Sequence, residues 1–183
     1  AQSPYAASKI AADQLTISYY KSFNLPVKII RPFNTYGPRQ SNRAIIPRII
    51  SQCLTKKNKD ITLGNLKPTR DFNYVEDTCR SYFNILKSKK LIGQVTNVGS
   101  NTSISIKKIA NKIMHITGKK FIITKDKNII RPILSEVDNL RCNNKKIKKL
   151  TSWNSSTNLD DGLIKTIKWI KENKSDYSKK YQI

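Results

Sequence analysis

A run of good helix formers, Pro4 to about Phe23, breaks at Asn24-Leu25-Pro26 and passes directly into Val27-Lys28-Ile29-Ile30. That second segment is short and mostly β-branched, and Arg31-Pro32 stops it, so it reads as a strand. No other feature narrows the fold as much. A helix handed to a strand through so brief a break is half of a parallel α/β unit, since parallel strands need a crossover connection. Ser3 suits the helix N-cap, and Pro4 suits the first helical position, where its missing N–H has no partner in any case. Ile10, Leu15, Tyr19 and Phe23 are among the apolar positions of this helix.

The alternation continues downstream. Ile45–Leu54 reads as an amphipathic helix with an early Pro, and Ile61–Gly64 and Arg70–Val75 as two short strands joined by a turn. Glu76-Asp77 leads into a helix through Leu86, Val95–Gly99 is a strand, and Ser105 caps a helix over Ile106–Thr117 that Gly118 ends. Phe121–Thr124 is a further strand, and the stretch 131–138 is irregular. A short helix near Lys145–Leu150 has Asn143 or Asn144 as its cap and Trp153 to pack against it. The last helix, Leu159–Lys171, has Asn158 as a cap and Asp160 and Asp161 in the first turn, where the helix dipole favours them. Residues 174–183 form a polar tail that is expected to fray. Arg31–Gln40 lies at the carboxyl end of a strand, where open α/β sheets bind ligands, and Asn34, Thr35, Tyr36 and Arg39 offer polar groups there.

The 183 residues suffice for one domain or for a piece of a larger one. The chain opens at Ala1 inside what reads as a working site, so an upstream part is expected. Cys53, Cys79 and Cys142 are widely spaced and form no CxxC, which speaks against a disulfide scaffold or a zinc site and suits a reducing cytoplasm. His115, the single histidine, sits in an apolar-periodic helix without evident metal partners. No run reaches the length of a membrane span. The formal net charge of +23 admits a polyanionic partner. The lysines, however, are spread along the polar faces of predicted helices, and no nucleic-acid-binding signature accompanies them. A solvated basic surface is the preferred reading.

Tyr5 and Lys9 are one helical turn apart, so they share a face. A cation held beside a phenol favours the phenolate, chemistry suited to a general acid or base. In a chain so rich in Tyr and Lys such a pair also arises by chance, as an ordinary surface contact, and only later motifs can decide.

Those motifs are Arg31-Pro32-Phe33-Asn34-Thr35-Tyr36-Gly37-Pro38, then Thr69-Arg70-Asp71-Phe72-Asn73-Tyr74-Val75-Glu76-Asp77, then Thr96-Asn97-Val98-Gly99, then Arg131-Pro132. In this order after Tyr5-x-x-x-Lys9 they resemble the C-terminal half of extended short-chain dehydrogenase/reductases, the NAD(P)-dependent nucleotide-sugar epimerases and 4,6-dehydratases. The resemblance implies an α/β fold: the C-terminal part of a Rossmann-type doubly wound parallel sheet plus a small mixed α/β substrate-binding region, with the N-terminal nucleotide-binding strands absent. Residues 1–173 would form that half-domain, 1–34 closing the cofactor-binding region and 35–173 mainly binding substrate.

By the same resemblance, Tyr5 would move the proton of a sugar hydroxyl while Lys9 binds the nicotinamide ribose. Pro32 and Phe33 would lie by the nicotinamide through their backbone. Asn34 would reach the substrate and Leu63 its base. Arg70 and Arg131 would bind the diphosphate, a task suited to guanidinium, and Asn97 is a further candidate for that pocket. Judged without the motif order, Arg70-Asp71 would be a surface ion pair and Arg131 part of a solvated loop. The cofactor, NAD or NADP, would be held mostly by residues upstream, since no glycine-rich phosphate loop is present. The substrate would be a nucleotide-diphosphate sugar, the full-length protein a cytoplasmic homodimer paired through the first helix, and the loop wording leans towards a dehydratase. The first helix, deprived of most of its sheet, should have its apolar face partly uncovered. The competing readings are a basic nucleic-acid-binding module without enzymatic activity and a non-catalytic relative kept for oligomerisation.

Overall fold

The structure is a computed structural model, and it describes residues 1–55, 60–126 and 132–178. The first helix, α1 (Pro4–Phe23), starts and stops where its end residues dictate. The Ser3 side chain accepts the Ala6 N–H at 3.1 Å, and Asn24 turns the chain out in the left-handed conformation. β1 (Ile29–Pro32) follows and pairs in parallel with β6 (Val95–Val98), Ile29 lying opposite Val95 and Pro32 opposite Val98. The strand thus starts later than its β-branched run and continues through Arg31-Pro32. Pro32 is tolerated because it closes the strand, a position where a missing donor does least harm.

Three helices build the main core. These are α2 (Ile45–Thr55), α4 (Ile106–Thr117) and α6 (Leu159–Glu172). Each turns an apolar stripe inward: Ile46, Ile49 and Ile50 from α2, Ile109 and Ile113 from α4, Leu163, Ile167 and Ile170 from α6. Each fully buried Ile or Leu contributes about 1.5–3 kcal/mol, and these side chains lie over β2 (Asn34–Tyr36), β3 (Asp60–Leu63) and β5 (Phe72–Tyr74). β2 pairs in parallel with β5, and β3 with β8 (Ile122–Lys125). β4 (Thr69–Arg70) lies between β7 (Ile104–Ser105), antiparallel, and β9 (Asn139–Leu140), parallel.

A second, smaller core gathers Ile85 of α3 (Val75–Lys87), Leu91, Val98, Ile147 of α5 (Lys145–Leu150) and Trp153 under β1 and β6. Trp153 packs beside Ile147 as expected, and its indole N–H donates to the Asp77 carbonyl at 2.7 Å. No residue of α1 is buried. Its Tyr5, Leu15 and Phe23 are exposed, as are Tyr82, Phe83 and Leu86 on α3, so the expectation of an uncovered first helix is met. The helix nevertheless touches the body at Gly93, where an added Cβ would sit 2.3 Å from the Tyr20 ring, and the left-handed φ of 70° there suits glycine.

Three local expectations need correction. The segment Arg31–Gln40 is not all loop: Asn34–Tyr36 is a strand, held by Phe72–Tyr74 rather than by any alternation of its own. Arg70–Val75 is not one strand, because Asp71 interrupts it and the ladder changes partners there, β4 on one side and β5 on the other. The polar tail is not frayed up to Ser178: α7 (Lys174–Ser178) forms and buries Tyr177.

Candidate functional site

β2, β3 and β4 deliver three of the candidate substrate residues to one open cleft of about 480 Å³, lined by Asn34, Leu63 and Arg70 together with Gln40, Arg43 and Arg48. Each is positioned by local chemistry. Asn34 begins β2. Leu63, fully buried, closes β3, whose neighbouring Thr62 exchanges two hydrogen bonds with the Gln52 side chain (2.7 and 3.1 Å). Arg70 is gripped by its surroundings: it donates to Glu136 Oε1 at 2.7 Å, to the Thr69 carbonyl at 2.9 Å and to the Val137 carbonyl. Its acidic partner is therefore Glu136 across the cleft wall, not the adjacent Asp71.

Asp71 is completely buried and has another task. One carboxylate oxygen accepts the Ser100 N–H and hydroxyl (2.8 and 2.7 Å), the other the N–H groups of Asn101 and Cys142 (2.9 and 3.0 Å). It ties the strand carrying Arg70 to two distant loops.

The cleft brings together three guanidinium groups, those of Arg43, Arg48 and Arg70, and one carboxylate, Glu136. With Arg70 and Glu136 paired, the balance stays positive, as a diphosphate requires. Arg48 makes no ion pair among the described residues. Two lining residues also carry buried polar atoms without partners among the described residues, Asn34 Nδ2, a donor, and Gln40 Oε1, an acceptor. Such atoms are costly unless something meets them. A sugar hydroxyl, which donates and accepts, can meet either.

Tyr5 and Lys9 come together as the helix spacing required: the Lys9 ammonium lies 5.5 Å from the centroid of the Tyr5 ring. Tyr5 is 72% exposed and the pair does not line the cleft, standing instead on the open face of α1. α1 is tied to the carboxyl end of β1 by Arg31 Nε donating to Asp13 at 2.6 Å. Phe33 donates its backbone N–H to Val98 at 2.8 Å, and Pro32 faces Val98 in the β1–β6 ladder. Asn97 lies apart from the cleft: opposite Arg31 in that ladder, it lines a separate basic hollow with Lys145 and Lys146. Arg131 is outside the described residues.

Sequence reasoning missed Gln40, Arg43, Arg48 and Glu136. For Arg48 a signal existed, since it is the single charged residue of α2. Glu136 gave none, because its partner is 66 residues away. Tyr36, offered as a polar group, is instead a core residue: burial, more than the nearby Tyr74 and Asp160, drives its hydroxyl's pKa far up, and that hydroxyl donates to the Leu159 carbonyl at 3.3 Å. Among the described residues no cluster of His, Cys, Asp or Glu could hold a metal ion, and no helix is long and apolar enough to cross a membrane.

A family model described as GDP-mannose 4,6 dehydratase matches residues 1–166. The uncharacterized UDP-glucose epimerase YtcB of Bacillus subtilis (strain 168) is 32% identical over 92% of this chain and 52% of its own length. The dTDP-D-glucose 4,6-dehydratase of Homo sapiens is 30% identical over 93% of this chain and 49% of its own. Among solved structures, UDP-glucuronic acid 4-epimerase from Bacillus cereus, in complex with UDP-glucuronic acid and NAD, superposes with a TM-score of 0.84 at 31% identity, over 93% of this chain and 53% of that one. The chain thus spans about half the length of each of these relatives.

Proposed function

The chain belongs to the extended short-chain dehydrogenase/reductases that the GDP-mannose 4,6-dehydratase family model describes, and we propose that it supplies the substrate cleft and the acid–base pair of an NAD(P)-dependent nucleotide-sugar dehydratase or epimerase. One observation carries this reading, the convergence of Asn34, Leu63, Arg70 and Arg48 on a single positively charged cleft. Arg70, held rigid by Glu136, and Arg48, with no carboxylate partner among the described residues, face the diphosphate. Leu63, fully buried beneath the cleft, fixes the end of β3 that would meet the base. Asn34 presents its unpartnered amide to the sugar. Asn97 is a poorer substrate contact than the sequence implied, given its place in the separate hollow.

A bound nicotinamide would supply hydride transfer at the sugar carbon. Tyr5 takes the proton of the hydroxyl on that carbon, and Lys9 steadies the phenolate and binds the nicotinamide ribose. The residues present fit only that end of the cofactor. Tyr5, Lys9, Pro32 and Phe33 are the residues that would hold it, and the six glycines stand singly, so none builds a phosphate-cradling loop. NAD and NADP are equally compatible with this half.

The exposed apolar face of α1 suits pairing with a second copy, and the three unpaired cysteines suit the reducing cytoplasm. In the full-length enzyme, Tyr5→Phe should lower kcat by at least a hundredfold while the dissociation constants of UDP-glucose and NAD stay within about twofold. Unchanged turnover would remove Tyr5 from the chemistry and this reading with it.

A further inference from the structure

The loop that brings Gln40 to the cleft is held by α6 and α7. Arg39 has a left-handed backbone, φ 65°, which a side-chain-bearing residue keeps only where its surroundings hold it. Its guanidinium lies over the Trp169 ring of α6, 5.1 Å from the centroid. The next residue along, Gln40, accepts the Tyr177 hydroxyl on its carbonyl at 3.0 Å. The Tyr177 carbonyl in turn accepts from Asn42 Nδ2 at 3.3 Å and from Ser51 Oγ at 3.2 Å. Tyr177 is buried although it sits in a polar five-residue helix. Nothing in that helix's own sequence accounts for its docking. These three hydrogen bonds and the seating of the ring in the main core do.

Gln40 Nε2 donates to the Thr35 carbonyl at 2.6 Å, which fixes the side chain and leaves its Oε1 buried without a partner among the described residues. The backbone of Gln40 is therefore held by Tyr177 and its side chain by β2, with one buried acceptor unpartnered among the described residues in a residue that lines the cleft.

We propose that Tyr177 is a positioning residue of the cleft and that the group it positions, Gln40 Oε1, accepts a hydrogen bond from a hydroxyl of the sugar. This rests on the reading of the cleft as a nucleotide-sugar site. Asn34 and Gln40 then form a pair, one amide donating and the other accepting, at the sugar end, while the arginines take the diphosphate. Specificity for the pattern of sugar hydroxyls is set in part by a residue from the last helix, which touches no substrate itself.

The test is a double-mutant cycle read by calorimetric titration of the full-length enzyme with UDP-glucose and, separately, with UDP. Tyr177→Phe keeps the ring and removes one hydrogen bond. Gln40→Ala removes the acceptor. Each should weaken UDP-glucose binding about five- to tenfold, leave UDP binding unchanged, and in combination lose little more than either alone. Equal losses for UDP and UDP-glucose, fully additive losses, or no loss in Tyr177→Phe would overturn the proposal. If Tyr177→Phe does not fold, Asn42→Ala opens the same clasp from its other end and is held to the same outcomes. A wild type that binds neither ligand refutes the reading of the cleft, and the sugar contact with it. The clasp is then judged by amide exchange of residues 37–42, which Tyr177→Phe must accelerate.

Discussion

Replacing Asp71 by Asn tests whether the candidate cleft is held open by one buried carboxylate. The wild-type side chain accepts four hydrogen bonds, two on each oxygen, from groups far away in sequence. In Asp71→Asn the retained oxygen can still face Ser100. The amide NH₂ then confronts the N–H groups of Asn101 and Cys142, donor against donor, and both of those bonds are lost. Hydrogen bonds to a charged group contribute about 1.5–3 kcal/mol each. Relief of burying a charge offsets part of the loss, leaving a net destabilisation of about 3 kcal/mol. A domain of this size shifts by roughly 2–4 °C per kcal/mol, so the midpoint should fall by about 6–12 °C. Urea titration followed by tryptophan fluorescence is a direct assay, since Trp153 lies in the neighbouring core. The midpoint should move at unchanged slope. A loss below about 1 kcal/mol would show that the loops at Ser100 and Cys142 do not depend on this carboxylate.

Other substitutions and conditions probe separate parts of the account. Gly162→Ala places a Cβ 2.0 Å from the Tyr36 hydroxyl, and should destabilise by about 1–3 kcal/mol through overpacking, measured by the same urea titration. Burial pushes the thiols of Cys53 up to about 11 and Cys142 up to about 12, so both stay neutral in the folded chain while they ionise near 9 in the unfolded one. Their contribution is therefore complete below about pH 9 and is lost as pH rises towards 11–12. Cys53→Ala should flatten the fall of stability between pH 9 and 11 relative to wild type, and an unchanged slope would count against the buried neutral thiol. Residues 1–183 alone should show no tight NAD binding by isothermal titration, because no phosphate-cradling loop is present.

Much of the fold was legible because its helices are locally specified. Ser3, Ser105 and Asn158 cap where their side chains can accept a backbone N–H, and Gly118 ends its helix in a left-handed turn. Strands were less legible because their partners decide them. Asn34–Tyr36 has no pattern of its own and exists through Phe72–Tyr74. The site divided along the same line. Asn34, Leu63 and Arg70 were named from the family resemblance, and the structure brings them to one cleft. Glu136, which grips Arg70, and Tyr177, which grips Gln40, act across 66 and 137 residues of chain, a separation at which no local spacing speaks.

The account stands or falls on whether the cleft takes a nucleoside diphosphate at its arginines. A titration of isotope-labelled chain with UDP, followed by amide and arginine side-chain NMR, reads this directly. Shifts clustered at Asn34, Gln40, Arg48, Leu63 and Arg70, and suppressed by Arg48→Ala, are what the geometry predicts. Shifts scattered over the exposed lysines of α4 and α5, untouched by Arg48→Ala, would mean that the basic surface binds anions without selection and that the cleft is not the site.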